Sequence, residues 1–151
     1  MLDDVDKRVL RRFQADPTLS LAELARLAGV STATCARRLQ RLRDTEVIRA
    51  VRTVINWPAL GYSVEVSLRI TLDKTQPRAF DEFLAAAREV PEVIEAQTFL
   101  GQVDARLSVI ARDMPHYQQV YRDKLLTLPH IADIEALMHV ARVKFDETLP
   151  L

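Results

Sequence analysis

A repeat in the second half of the chain constrains its fold more than any other feature. Thr75-Gln76-Pro77 and Asp113-Met114-Pro115 lie 38 residues apart, and Pro91 and Pro129 are separated by the same interval. Each pair of marks brackets an amphipathic stretch, with Phe80, Phe83, Leu84 and Ala87 in the first and Tyr117, Val120, Tyr121 and Leu125 in the second. Each stretch opens on a cap and a proline near the first or second helical position, where a missing N–H costs little. Before the first, Val64, Val66, Leu68, Ile70 and Leu72 alternate with Glu65, Ser67, Arg69, Thr71 and Asp73, the pattern of a half-buried strand. Val93–Leu100 follows it; Ala105–Ala111 precedes the second helix and Ile131–Val140 follows it. The order is β-α-β twice, which predicts a ferredoxin-like βαββαβ sandwich. Two helices cover one face of such a sheet. Leu137 between Glu135 and His139 gives the other face apolar character, so a partner chain is expected there.

The first half has a different period. Val5, Val9, Leu10 and Phe13 share a helical face within Asp4–Ala15, with Asp3, Asp4 and Asp6 at its positive end and Asp16-Pro17 closing it. Ser20 and Glu23 form a capping box that opens Leu21–Ala28, and Gly29 suits a left-handed C′ position. Ser31 then caps a third helix whose Cys35, Leu39 and Leu42 form a buried stripe. Helix, glycine turn and basic helix after a supporting helix make a helix-turn-helix. On a face expected to turn away from the stripe lie Thr34, Arg37, Arg38 and Arg41, with Ser31 and Thr32 at the helix start. Guanidinium forks match guanine edges and phosphates, and small hydroxyl residues approach either closely, so these six are the candidate DNA contacts. Val47–Ile55 is β-branched and carries Arg49 and Arg52. It reads equally as a wing touching the DNA backbone or as a plain connector strand. The break at Asn56–Gly61 places domains at 1–55 (winged helix-turn-helix) and 63–151 (βαββαβ), joined by a linker at 56–62. The expected class is α+β.

The net charge of zero conceals an asymmetry. Residues 1–55 hold 11 Lys/Arg against 7 Asp/Glu, a balance of +4, and residues 56–151 hold 10 against 14, a balance of −4. Only the front is suited to a polyanion. No apolar run approaches bilayer length and the acidic start lacks a signal-peptide core, so no membrane role and a cytoplasmic location are expected. The single Cys35 sits on the packed stripe, and the histidines at 116, 130 and 139 show no metal-ligand spacing. No cofactor, metal or enzyme activity is expected. Gly101-Gln102-Val103-Asp104 joins the second and third strands. Its backbone N–H groups and carboxylate could grip a small zwitterion, or it is a plain β-turn.

Together these residues resemble the leucine-responsive/asparagine-regulator (Lrp/AsnC) family of prokaryotic transcription factors. The resemblance runs through Leu2-Asp3-x-x-Asp6, Leu21-x-Glu23-Leu24-Ala25, Gly29-Val30-Ser31, Cys35-x-x-Arg38-Leu39-x-x-Leu42 and Asn56-x-Pro58. It continues through Gly101-x-x-Asp104 and Leu128-Pro129. It implies a sequence-specific regulator of double-stranded DNA that forms homodimers assembling into octamers. It also implies an amino-acid effector near Gly101, Gln102, Val103 and Asp104. Family members often carry Gly-Asp-Tyr-Asp in that loop, so this chain lacks one carboxylate and the aromatic ring. A glycine frequent after the third helix is Glu46 here, which predicts a helix that frays or runs on. The alternative reading is an architectural, chromosome-coating DNA-binding protein with no effector.

Overall fold

The computed structural model describes residues 2–144 and 148–151, which divide into two compact units. The first comprises residues 2–54 with 144 and 148–151; the second comprises 55–143. The last residues, expected in the second domain, therefore belong with the first. The Gln14 side chain exchanges two hydrogen bonds with the Leu149 backbone (2.8 and 3.1 Å), and Arg11 Nε donates to the Leu151 carbonyl (2.7 Å).

The first unit is three helices, α1 Asp4–Ala15, α2 Leu21–Ala28 and α3 Thr32–Asp44. Each start is capped. Asp3 and Asp6 form a reciprocal capping box at α1, Ser20 and Glu23 another at α2, and Ser31 Oγ accepts from the Thr34 amide at α3. Gly29 ends α2 at φ +67°, a conformation costly for a side chain with a Cβ. Arg8 Nε donates to the Ala28 carbonyl (3.0 Å) at the same end. Val9, Leu24, Ala25, Ala28, Cys35 and Leu39 form the core, flanked by Val5, Phe13, Leu19, Val30 and Ile48. Burial pushes the Cys35 thiol pKa up, as fits a packed rather than a reactive sulfur.

Two expectations fail after α3. The helix neither frays nor runs on: it stops at Asp44, and Glu46 adopts φ +57°, the left-handed conformation a glycine would take there. The Ile48 amide then bonds back to the Leu42 carbonyl (2.9 Å) and closes the turn. Residues 49–56 form no strand, so the described chain has no wing. A strand needs a paired neighbour, and the unit offers this segment none.

The second unit opens on a single 3₁₀ turn, Trp57–Leu60. It continues as β1 Val64–Leu72, α4 Ala79–Arg88, β2 Val93–Thr98, β3 Ala105–Ala111, α5 Met114–Val120 and β4 Ile131–Met138. The sheet order is β2-β3-β1-β4, with every neighbouring pair antiparallel. Val66, Leu68, Ile70 and Leu72 of β1, with Ala105, Leu107, Val109 and Ala111 of β3, pack against Phe83, Ala87, Tyr117, Val120 and Leu125. Asp113 caps α5 by accepting from the His116 amide, and Pro115 falls in its first turn as expected. At Tyr121 the helix widens into a π turn through Leu125. The proline of the first repeat behaves differently. The Asp73 carboxylate takes the Thr75 amide and hydroxyl (3.0 and 2.7 Å), which makes a separate turn, and α4 begins only at Ala79, beyond Pro77. The sheet face away from these helices is more polar than Leu137 suggested. Registered rows place Arg69 between Arg106 and Glu135, and Ser67 between Ser108 and Leu137.

Candidate nucleic-acid interface and effector loop

The α3 surface follows from its helical wheel. Residues four apart are separated by only about 40° around an α-helix. Arg38 stands four before the buried Leu42, so it flanks the core stripe instead of opposing it. Arg38 Nη1 donates to Asp3 Oδ2 (2.5 Å) and Asp6 Oδ1 (3.3 Å), and only 20% of its side chain is exposed. The expectation that Arg38 stands clear of the fold is therefore corrected: it is a strut between α1 and α3. Arg41 Nη2 donates to Asp6 Oδ2, but 47% of the side chain remains exposed. Asp6 itself is completely buried. Ser31, Thr32, Arg37, Gln40 and Arg41 are exposed, and Thr34 is half-buried. Gln40, one turn beyond Arg37, shares its edge. The sequence reading passes over Gln40, although the same wheel marks it and a side-chain amide can read a base edge. Its Nε2 donates to Asp44 Oδ1 (2.7 Å). Arg49 and Arg52 are exposed on the irregular segment that follows.

The acidic residues at the start of α1 complement its helix dipole. Their larger role is pairing with α3. Asp3 accepts from the Asp6 amide (2.9 Å) and Asp6 from the Asp3 amide (3.0 Å), which fixes both carboxylates independently of the arginines. The backbone hydrogen bond from Asp6 lowers the Asp3 pKa to about 2 against an opposing desolvation, with Arg38 adding to the drop.

The loop at 101–104 does not offer its carboxylate freely. Gly101 and Gln102 are exposed and Val103 is half-buried, but Asp104 is 3% exposed. Asp104 Oδ2 accepts from the Leu72 amide (2.9 Å), and Oδ1 pairs with Lys74 Nζ (3.0 Å). Burial raises its pKa, but the Leu72 amide and Lys74 outweigh burial and leave the carboxyl below its usual range. The Asp104 amide donates to the Ile70 carbonyl (2.9 Å), and Thr71 Oγ1 donates to the Gln102 carbonyl (3.3 Å). Asp104 thus ties the start of β3 to the end of β1. Gly101 has no left-handed φ, and a Cβ there would meet open space, so the backbone does not demand glycine.

Among the described residues, no group of three or more His, Cys, Asp or Glu side chains could hold a metal ion. No helix of the described chain is long and apolar enough to cross a membrane.

A capped helix-turn-helix with an exposed arginine and hydroxyl edge, on a chain that also carries a βαββαβ sandwich, defines a DNA-binding transcriptional regulator. Residues 2–43 match the AsnC-type helix-turn-helix domain, and residues 65–149 match the Lrp/AsnC ligand binding domain. The chain belongs to the Lrp/AsnC family. It is 31% identical over 132 residues to a proline dehydrogenase transcriptional activator of Rhodobacter capsulatus, covering 87% of this chain and 86% of that one. It is 30% identical over 143 residues to the leucine-responsive regulatory protein of Salmonella typhimurium, covering 95% and 87%. An AsnC family transcriptional regulator from Agrobacterium tumefaciens superposes with a TM-score of 0.90 at 29% identity, covering 99% of this chain and 97% of that one. A Neisseria meningitidis transcriptional regulator solved with L-Met shares the fold at a TM-score of 0.92 and 24% identity, covering 99% and 97%. These relatives are regulators of transcription, and the chain is one too rather than an enzyme.

Proposed function

We propose that this regulator reads double-stranded DNA sequence-specifically through the outer edge of α3, and that a small effector, an amino acid, modulates its assembly or its DNA affinity. The observation that carries the reading is the exposed edge of a buried-stripe helix in a helix-turn-helix: Ser31, Thr32, Arg37 and Arg41 are open to solvent beside half-buried Thr34. Phosphate contacts from Arg41, Arg49 and Arg52 supply affinity, and Arg37 supplies sequence choice. Arg38 acts from behind, as a strut. The reading head is residues 1–55, the connection 56–62, and the effector and assembly domain 63–143, with 144 and 148–151 packed into the helical unit. A homodimer building to an octamer presents paired heads to half-sites about one helical turn apart. Such a protein works in the cytoplasm.

The neighbouring Neisseria meningitidis regulator was solved with L-Met. That supports an amino acid as the ligand class here. With Asp104 engaged inside the sandwich, recognition at this loop falls to the exposed backbone of Gly101 and Gln102 and to Val103. The test pairs two titrations. One compares affinity for a duplex selected by the protein from a random pool with affinity for a scrambled duplex. The other screens amino acids for a shift in melting temperature or in sedimentation. A specificity ratio above about a thousand and a shift with at least one amino acid support the reading. Equal affinity for both duplexes with no shift establishes the architectural, chromosome-coating alternative.

A further inference from the structure

We propose that buried Asp6 is a positioning residue of the DNA-reading surface: from the α1 side it holds the Arg41 guanidinium so that its outer N–H groups face a DNA phosphate. This rests on the reading that α3 engages DNA. Four observations carry it. Asp6 has no exposed surface, yet its carboxylate meets Arg41 Nη2 at Oδ2 and Arg38 Nη1 at Oδ1. The two arginines differ in exposure, Arg38 being the enclosed one and Arg41 the one with nearly half its side chain in solvent. A guanidinium has five N–H donors in a fixed plane, so the Asp6 contact leaves the far edge of Arg41 unoccupied by that carboxylate. Asp6 cannot swing to follow Arg41, because Asp6 Oδ2 also accepts from the Asp3 amide (3.0 Å) and Asp3 is locked in return. The carboxylate is therefore a fixed anchor for a flexible cation. Pre-orientation reduces the side-chain entropy lost when Arg41 meets a phosphate.

The inference has a counter-intuitive consequence. Removing a negative charge from a DNA-binding unit ordinarily strengthens its hold on the polyanion. Asp6→Asn is expected to do the reverse. The experiment titrates the full chain against a fluorescent duplex selected from a random pool, at several salt concentrations, with circular dichroism verifying that each variant is folded. Asp6→Asn is expected to bind about three- to tenfold more weakly, with the slope of log K against log salt reduced by about one per reading head. Arg41→Gln leaves Asp6 paired with Arg38 and so keeps the fold. It is expected to show the same loss, and the double variant is expected to be no worse than either single one. A role confined to stability would leave the salt slope of the folded protein unchanged and make the two losses multiply. Either of those results, or tighter binding by Asp6→Asn, overturns the proposal. If Asp6→Asn does not fold, Arg41→Gln with wild-type affinity and slope overturns it alone. A wild-type chain without salt-dependent DNA binding would instead overturn the functional reading on which the proposal stands.

Discussion

Each unit of the molecule buries an aspartate, and the two are partnered in opposite ways. Asp104, in the sandwich, meets the amide of the last β1 residue and a lysine in the turn just beyond it, so its bonds close the connection between β3 and β1. Asp6, in the helical unit, meets two arginines on the helix that carries the candidate DNA edge. Both carboxylates reach a partly exposed cation, but Lys74 lies on the turn after β1 whereas Arg41 lies on the helix with the candidate DNA edge. The Lys74 and Arg41 side chains are 59% and 47% exposed, so a buried charge reveals its role through the element that carries its partner more than through burial or exposure alone. The Asp104 carboxylate, which in sequence looked available to a ligand, is engaged within the fold. The acids that looked like helix dressing stand behind the arginines of α3.

The largest effect expected from this contrast is in the sandwich. Asp104→Ala leaves the buried Leu72 amide without its acceptor, and it should cost about 1–3 kcal/mol in urea denaturation. Asp104→Asn keeps an acceptor oxygen and should cost less. If the alanine variant is as stable as wild type, Asp104 is free for another task and the contrast breaks. In the helical unit, Arg38→Ala should lower the melting temperature by several degrees, whereas Arg37→Ala should leave it unchanged. Equal effects from the two would erase the distinction between strut and open edge.

A third test uses acid. Asp3 and Asp104 both have folded pKa values below their unfolded ones, so each binds a proton more weakly in the folded chain. Their contribution is present above the ordinary carboxylate value and is lost as pH falls through the folded value. For Asp3 that window runs from 3.8 down to about 2. Circular dichroism between those limits should show stability falling, and Asp3→Asn should flatten the fall. The smallest effect is at the end of α3. The left-handed conformation costs a residue with a Cβ about 1–2 kcal/mol, and the extra unfolded freedom of glycine returns about half of that. Glu46→Gly should stabilise the helical unit by about 0.5–1 kcal/mol, and a loss of stability would contradict the strain assigned to φ +57°.

Periodicity made most of the architecture legible. The alternation of Val64–Leu72 and the stripe Cys35, Leu39, Leu42 each specify a face, because burial depends on a period that local sequence displays. The residues that escaped depend on distant partners. Arg38 looked free among neighbouring arginines, and only its 40° separation from Leu42 hinted otherwise. Asp3-x-x-Asp6 carries the spacing of a capping box, yet nothing local says that Arg38 and Arg41 close over it. Asp104 could not be assigned without knowing that β3 lies beside β1, which brings the Leu72 amide to its carboxylate. Residues 49–56 have β-branched composition but no partner, and propensity without pairing makes no strand.

The central claim is that the outer edge of α3, and Arg37 above all, meets DNA. Fluorescence anisotropy of the full chain on a selected duplex and on its scrambled form, with wild type and Arg37→Ala side by side, tests it most directly. The account predicts that Arg37→Ala, while melting like wild type, loses at least about fivefold on the selected duplex and much less on the scrambled one. Undiminished affinity and discrimination in Arg37→Ala would contradict it.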